Sequence, residues 1–128
     1  MKYLWDTNIV IYYLQQQFPA HTEQYIDALV SEQQPILSVI TEIELLSWKA
    51  EDAHDLEVLQ NFINDSMVIE LEKSVKLKAV EIRRSTGIKL PDAVIAATAH
   101  VFDLTLLTRN ASDFKKYTDI KVINPFDT

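Results

Sequence analysis

The sequence predicts an α/β fold in which a five-stranded parallel sheet is flanked by helices. Short β-branched or aliphatic runs alternate with longer helical patterns from end to end, the signature of βα units. At 128 residues and 48% hydrophobic content, the chain has the size of one domain with a sizeable core. No low-complexity tract, internal linker or repeat of roughly 20 to 50 residues divides it, so one domain over residues 1–128 is expected.

The elements follow in order. KYLW at 2–5 reads as the first strand, and Asp6 in D-T-N as a residue that can cap a helix beginning near Ile9. ILSV at 36–39 reads as the second strand, with Thr41 and Glu44 matching the T-x-x-E of a capping box. In DLEVLQNFI the apolar residues Leu56, Leu59, Phe62 and Ile63 recur at intervals of three and four, one stripe of a helix. MVIEL at 67–71 is the third strand. After Ser74, Val75, Leu77, Val80 and Ile82 form a second helical stripe ending before Gly87, which suits a left-handed C-terminal cap. Pro91 fits the first turn of the next helix, where a missing N–H costs nothing. LTLL at 104–107 and KVI at 121–123 complete the sheet.

Composition removes several function classes. Without cysteine there is no disulfide, no cysteine zinc site and no thiol nucleophile. A single glycine, Gly87, leaves no place for a GxGxxG or GxxxxGK[ST] phosphate loop. His21, His54 and His100 are far apart, lack HExxH spacing and receive no role. The N-terminus meets Asp6 before a signal peptide can form, and no segment reaches the ~18 uncharged residues of a membrane helix, so a cytoplasmic protein is expected. The net charge of −7 is unevenly spread: residues 1–72 carry 13 acids and 2 bases, residues 73–128 carry 6 acids and 10 bases. The basic half either faces a phosphate backbone or forms solvated helix faces.

Four carboxylates stand just beyond a strand or at the opening of a helix. Asp6 follows the first strand, Glu44 lies in the helix after the second, Asp92 opens the alanine-rich helix, and Asp113 follows the fourth strand. In a parallel sheet these positions can share the carboxyl edge, where such folds place their sites. Each alone has an ordinary structural role open to it, as a cap, a first-turn acid or a turn residue. Gathered together they would repel one another unless a cation neutralised them, and an oxygen-only set suits Mg²⁺ or Mn²⁺ rather than zinc. One or two such ions can activate water and stabilise the leaving oxygen of a phosphodiester displacement. Ala93, Ala96, Ala97 and Ala99 would let the helix bearing Asp92 lie close against the sheet.

In WDTNIVIYYL, SVITEIEL, LPDAVIAATA, LLTRNASDF and the closing VINP, the chain resembles the PIN-domain ribonucleases, in particular VapC-like toxins of prokaryotic toxin–antitoxin pairs. The resemblance implies a PIN-like five-stranded parallel sheet, a Mg²⁺ or Mn²⁺ site and hydrolysis of single-stranded or tRNA-type RNA. It makes Asp6, Glu44, Asp92 and Asp113 the metal-binding and catalytic acids, with Asn110 nearby in the pattern T-x-N-x-x-D-F. The pattern T-x-x-E-L selects Glu44 over Glu42, and Thr7 matches the family as a hydroxyl that can position water or phosphate. Trp48 stands where many relatives have a small residue, with room to alter packing or substrate access. The family also implies an antitoxin partner and a homodimer, compatible with the apolar faces of IVIYYL at 9–14 and of residues 56–63. Two other classes are weighed: a catalytically silent PIN-like protein-binding module, and a phosphotransfer domain. The second lacks both the D-x-D pattern of phosphatases and a receiver-like acidic pair.

Overall fold

The computed structural model describes residues 1–49 and 52–127. The chain runs β1 (Tyr3–Trp5), α1 (Thr7–Leu14), α2 (Ala20–Glu32), β2 (Ile36–Ser38), α3 (Val39–Leu46), α4 (Ala53–Asp65), β3 (Met67–Ile69), α5 (Lys73–Thr86), α6 (Leu90–Val101), β4 (Thr105–Leu107) and β5 (Val122–Ile123). Short 3₁₀ turns occupy Ala111–Phe114 and Pro125–Asp127. All five expected strands are present, each shorter by one or two residues than its apolar run.

They form one parallel sheet in the order β3-β2-β1-β4-β5. The chain leaves β1 toward β2 and β3, then crosses back through α5 and α6 to β4 on the other side of β1. Strand order therefore reverses between β1 and β4, the place where open α/β sheets open a crevice at their carboxyl ends.

Successive strand residues point to opposite faces, and both faces are covered. Leu4, Ile36 and Leu106 enter one core with Val75, Ala79 and Ile82 of α5 and the alanines of α6. Trp5, Leu37 and Leu107 enter the other with Ile9 and Val10 of α1, Ile26 of α2, and Leu59 and Ile63 of α4. Burial on both sides explains why the strands read as unbroken apolar runs rather than alternating ones.

The helices correct several details. In α5, Leu77 and Val80 are exposed, and Ala79 takes the buried place between Val75 and Ile82. Leu56 is likewise largely exposed on α4, which buries Leu59 and Ile63. Gly87 ends α5 with φ +72, as its sequence position implies. The Thr41–Glu44 capping box does not form. Because β2 ends at Ser38, that residue caps α3 with its hydroxyl accepting from the Ile40 N–H at 3.1 Å, which leaves Thr41 and Glu44 inside the helix.

Helix α6 is buried on nearly every side, with Ala93, Ala96 and Ala97 fully enclosed and Ala99 almost so. Their small side chains let α6 settle between sheet and α5, carrying Asp92 to the sheet edge. Ala96→Leu should therefore overpack this layer and lower stability by about 1–3 kcal/mol, measured by urea denaturation.

Candidate active site

Asp6 stands at the switch point, directly after β1, and is buried. As the N-cap of α1 its Oδ1 accepts from the Thr7 N–H at 2.8 Å. Its Oδ2 accepts from the Thr108 hydroxyl at 2.8 Å and from Asn8 Nδ2 at 3.1 Å. Burial pushes this carboxyl above its ordinary value, the hydrogen bonds from Thr108 and Thr7 oppose that, and the nearby charge of Glu44 adds to it.

Asn8 and Thr108 tie the loops after β1 and β4 together. The Asn8 Oδ1 accepts from the Arg109 N–H at 3.0 Å, and the Thr108 hydroxyl accepts from the Asn110 N–H at 3.0 Å. Replacing Thr108 by Val removes a donor to Asp6 and an acceptor for Asn110, a loss of about 1–3 kcal/mol that thermal melting would register. Neither residue is singled out by the sequence alone, although Thr108 opens the T-x-N-x-x-D-F pattern.

Glu44 reaches the same edge from α3. Its Oε1 accepts from the Thr7 hydroxyl at 2.7 Å, and that hydroxyl lies 3.2 Å from the Thr41 hydroxyl. The Thr41 and Glu44 pair thus serves to dock α3 against the start of α1, and Thr7 is a positioning group for the glutamate.

Asp92 lies half-buried in the first turn of α6, three residues after the N-cap Lys89, and its carboxylate accepts no hydrogen bond among the described residues. Its carboxyl is pushed up, first by burial, then by the charges of Asp6 and Asp113; Lys89 opposes and Glu44 adds. Asp113, in the 3₁₀ turn after β4, shares with Asp92 the wall of a cleft of about 240 Å³. Asp92 therefore feels the charges of the other three acids, and Asp6 that of Glu44. The ion pair among the described residues is Lys78 with Glu81, far from them in the chain, so none of the four has a salt-bridge partner there. The acids are not clenched, however: among the described residues no three His, Asp or Glu side chains are placed to grip one metal ion directly.

Asn110 and Trp48 are placed differently. Asn110 contributes its backbone N–H to Thr108 and its C=O to the Asp113 N–H at 3.0 Å, so that turn is held by the main chain. Trp48 is partly exposed and lines a separate cleft of about 500 Å³ with Leu14, Gln17 and Val58, away from the acids.

The family description "PIN domain" matches residues 3–120. The chain belongs to the PIN-domain family. Solved structures agree with this PIN fold over nearly its whole length. A toxin–antitoxin complex from Klebsiella pneumoniae is similar at 29% identity and a TM-score of 0.78, covering 97% of this chain and 98% of that one. FitAcB from Neisseria gonorrhoeae is similar at 25% identity and a TM-score of 0.79, covering 98% and 99%. DNA-bound VapBC from Salmonella typhimurium, at 22% identity and a TM-score of 0.83 over 98% of both chains, shows the same fold. No curated protein sequence matches this PIN domain significantly. No helix among the described residues is long and apolar enough to cross a membrane.

Proposed function

We propose that this PIN domain is a Mg²⁺- or Mn²⁺-dependent endoribonuclease that cleaves single-stranded or tRNA-type RNA in the cytoplasm, as the toxin of a type II toxin–antitoxin pair. The observation that carries this reading is that Asp92 feels the charges of Asp6, Asp113 and Glu44 near the β1/β4 switch point, none of the four having a salt-bridge partner among the described residues. Among the described residues a side-chain cap is made by Asp6 and not by Asp92, and Glu44 lies within α3.

The donor set fits a hard divalent ion. It is all oxygen, and the repulsion that adds to burial in raising Asp92 is what a cation would relieve. Mg²⁺ usually keeps several waters and takes only one or two carboxylates, which suits acids that are coupled through charge without forming a tight cage. When bound, such an ion supplies activated water and stabilises the leaving oxygen of an in-line phosphodiester displacement.

The chain's own groups do the positioning. Asp6 is locked by three donors, and Thr7 fixes one oxygen of Glu44, leaving its Oε2 without a hydrogen bond among the described residues. Asp92 is carried by the most deeply buried helix of the fold, so the rigid sheet edge sets its place. The toxin–antitoxin complex from Klebsiella pneumoniae that shares this fold supports an antitoxin partner, and a homodimer belongs to the same proposal.

The test is to incubate the purified chain, freed of co-purifying protein, with single-stranded RNA and Mg²⁺ or Mn²⁺. Cleavage that stops in EDTA and in Glu44→Gln is the expected result. Cleavage that survives EDTA would contradict metal dependence, and a chain that cuts no RNA would leave a silent binding module in its place.

A further inference from the structure

We infer that the cleft between the start of α6 and the 3₁₀ turn after β4 is a phosphate-binding subsite, where Lys89 and Lys116 hold the backbone of single-stranded RNA beside the acids. The inference rests on the endoribonuclease reading and extends it to how the substrate is held.

The cleft, of about 240 Å³, brings Lys89, Lys116 and Ser112 together with Asp92 and Asp113. Both lysines are exposed, and among the described residues neither ammonium group makes a hydrogen bond or ion pair. The basic residue after β4 is differently employed: the Arg109 guanidinium donates to the Tyr12 hydroxyl and lies over the Tyr12 and Phe126 rings at 5.1 and 4.4 Å. Lys78 is paired with Glu81. The lysines at the cleft are thus cations beside the acids with their donors free.

RNA must bring its phosphates up to four carboxylates in a chain of net charge −7, and unopposed like charges would turn it away. Lys89 lines the same cleft as Asp92 without forming a salt bridge to it. A phosphate entering the cleft would meet two ammonium groups and the Ser112 hydroxyl, and these offset Asp92 and Asp113 within the same walls. Lysine, a point charge on a long flexible stem, suits contacts to the backbone that carry no base identity. The subsite should therefore set affinity and position the strand, leaving base preference to other groups.

Fluorescence anisotropy with a labelled single-stranded RNA, run in EDTA and again in Ca²⁺ across a salt series, tests this. Lys89→Ala/Lys116→Ala should bind roughly 10- to 30-fold more weakly at about 0.1 M salt, with the slope of log K against log salt shallower by about 1.4, or about 0.7 per lost contact. Lys73→Ala/Lys76→Ala is the control, removing the same charge about 20 Å away along α5. It should change binding less than twofold, and both doubles should melt like the native chain because all four lysines are exposed. Native binding with an unchanged slope in Lys89→Ala/Lys116→Ala would overturn the subsite and leave the endoribonuclease reading standing. Equal loss in the control would assign the effect to diffuse charge and also overturn it. A native chain that holds no RNA in either buffer would overturn the endoribonuclease reading itself, and the subsite with it.

Discussion

Asp92→Asn is expected to abolish RNA cleavage while raising the melting temperature of the metal-free protein. As a member of the proposed metal centre, its loss should cost more than the roughly 10- to 100-fold typical of outer-shell partners. Stability moves the other way because the native state holds Asp92 partly out of water and then among like charges, which pushes its carboxyl above the ordinary 3.8. A raised acid weakens the fold when it ionises. Below 3.8 the carboxyl is protonated in both folded and unfolded chains, so Asp and Asn should differ little there. The advantage of Asn should grow as pH rises through 3.8 toward the raised native value, then stay level. Solvent screens the half-buried group, so the gain at neutral pH should be modest, on the order of 2 °C. Melting curves of both proteins in EDTA across pH measure it. A variant that melts lower than the native chain at neutral pH would show that Asp92 makes a stabilising contact absent from this account.

Asp6→Ala should end activity as well, but with a large loss of stability. Its carboxylate caps α1 and satisfies the Thr7 N–H, the Thr108 hydroxyl and the Asn8 amide, all around a buried position. Removing the cap costs about 1 kcal/mol and stranding the donors more, so the total should reach about 2–4 kcal/mol even after relief of its buried charge. Urea denaturation reads this directly. Two acids of one centre would then fail in catalysis alike and part in stability, which distinguishes an electrostatically strained ligand from one that also builds the fold. Equal and small effects of both substitutions would mean that Asp6 is not the structural hub its hydrogen bonds describe.

The sheet was legible because its central strands are buried on both faces and so stand out as short apolar runs between helical patterns. The alanine series 93–99 gave away the tight seat of α6, and the four acids were legible by their positions after strands and at helix starts. What the sequence hid was set by contacts between distant residues. Asn8 and Thr108 bond across 100 positions, and Thr108 meets Asp6 across 102, so no local pattern marks them. Thr41 and Glu44 matched a capping box, but the end of β2 placed Ser38 first, and the pair instead faces Thr7. Leu77 and Val80 satisfied a helical stripe that α5 turns outward, because Ala79 is what α6 packs against. The first crossover also divides into α1 and α2 at a turn where Gln16 takes φ 55, a left-handed conformation its side chain does not announce.

The proposed divalent-metal centre of Asp6, Glu44, Asp92 and Asp113 should be visible in isothermal titration of the metal-free chain with Mn²⁺. Saturable binding of one or two ions is expected, and it should vanish in Asp92→Asn while that variant stays folded and melts higher. No measurable binding, or binding that Asp92→Asn leaves unchanged, would rule the centre out.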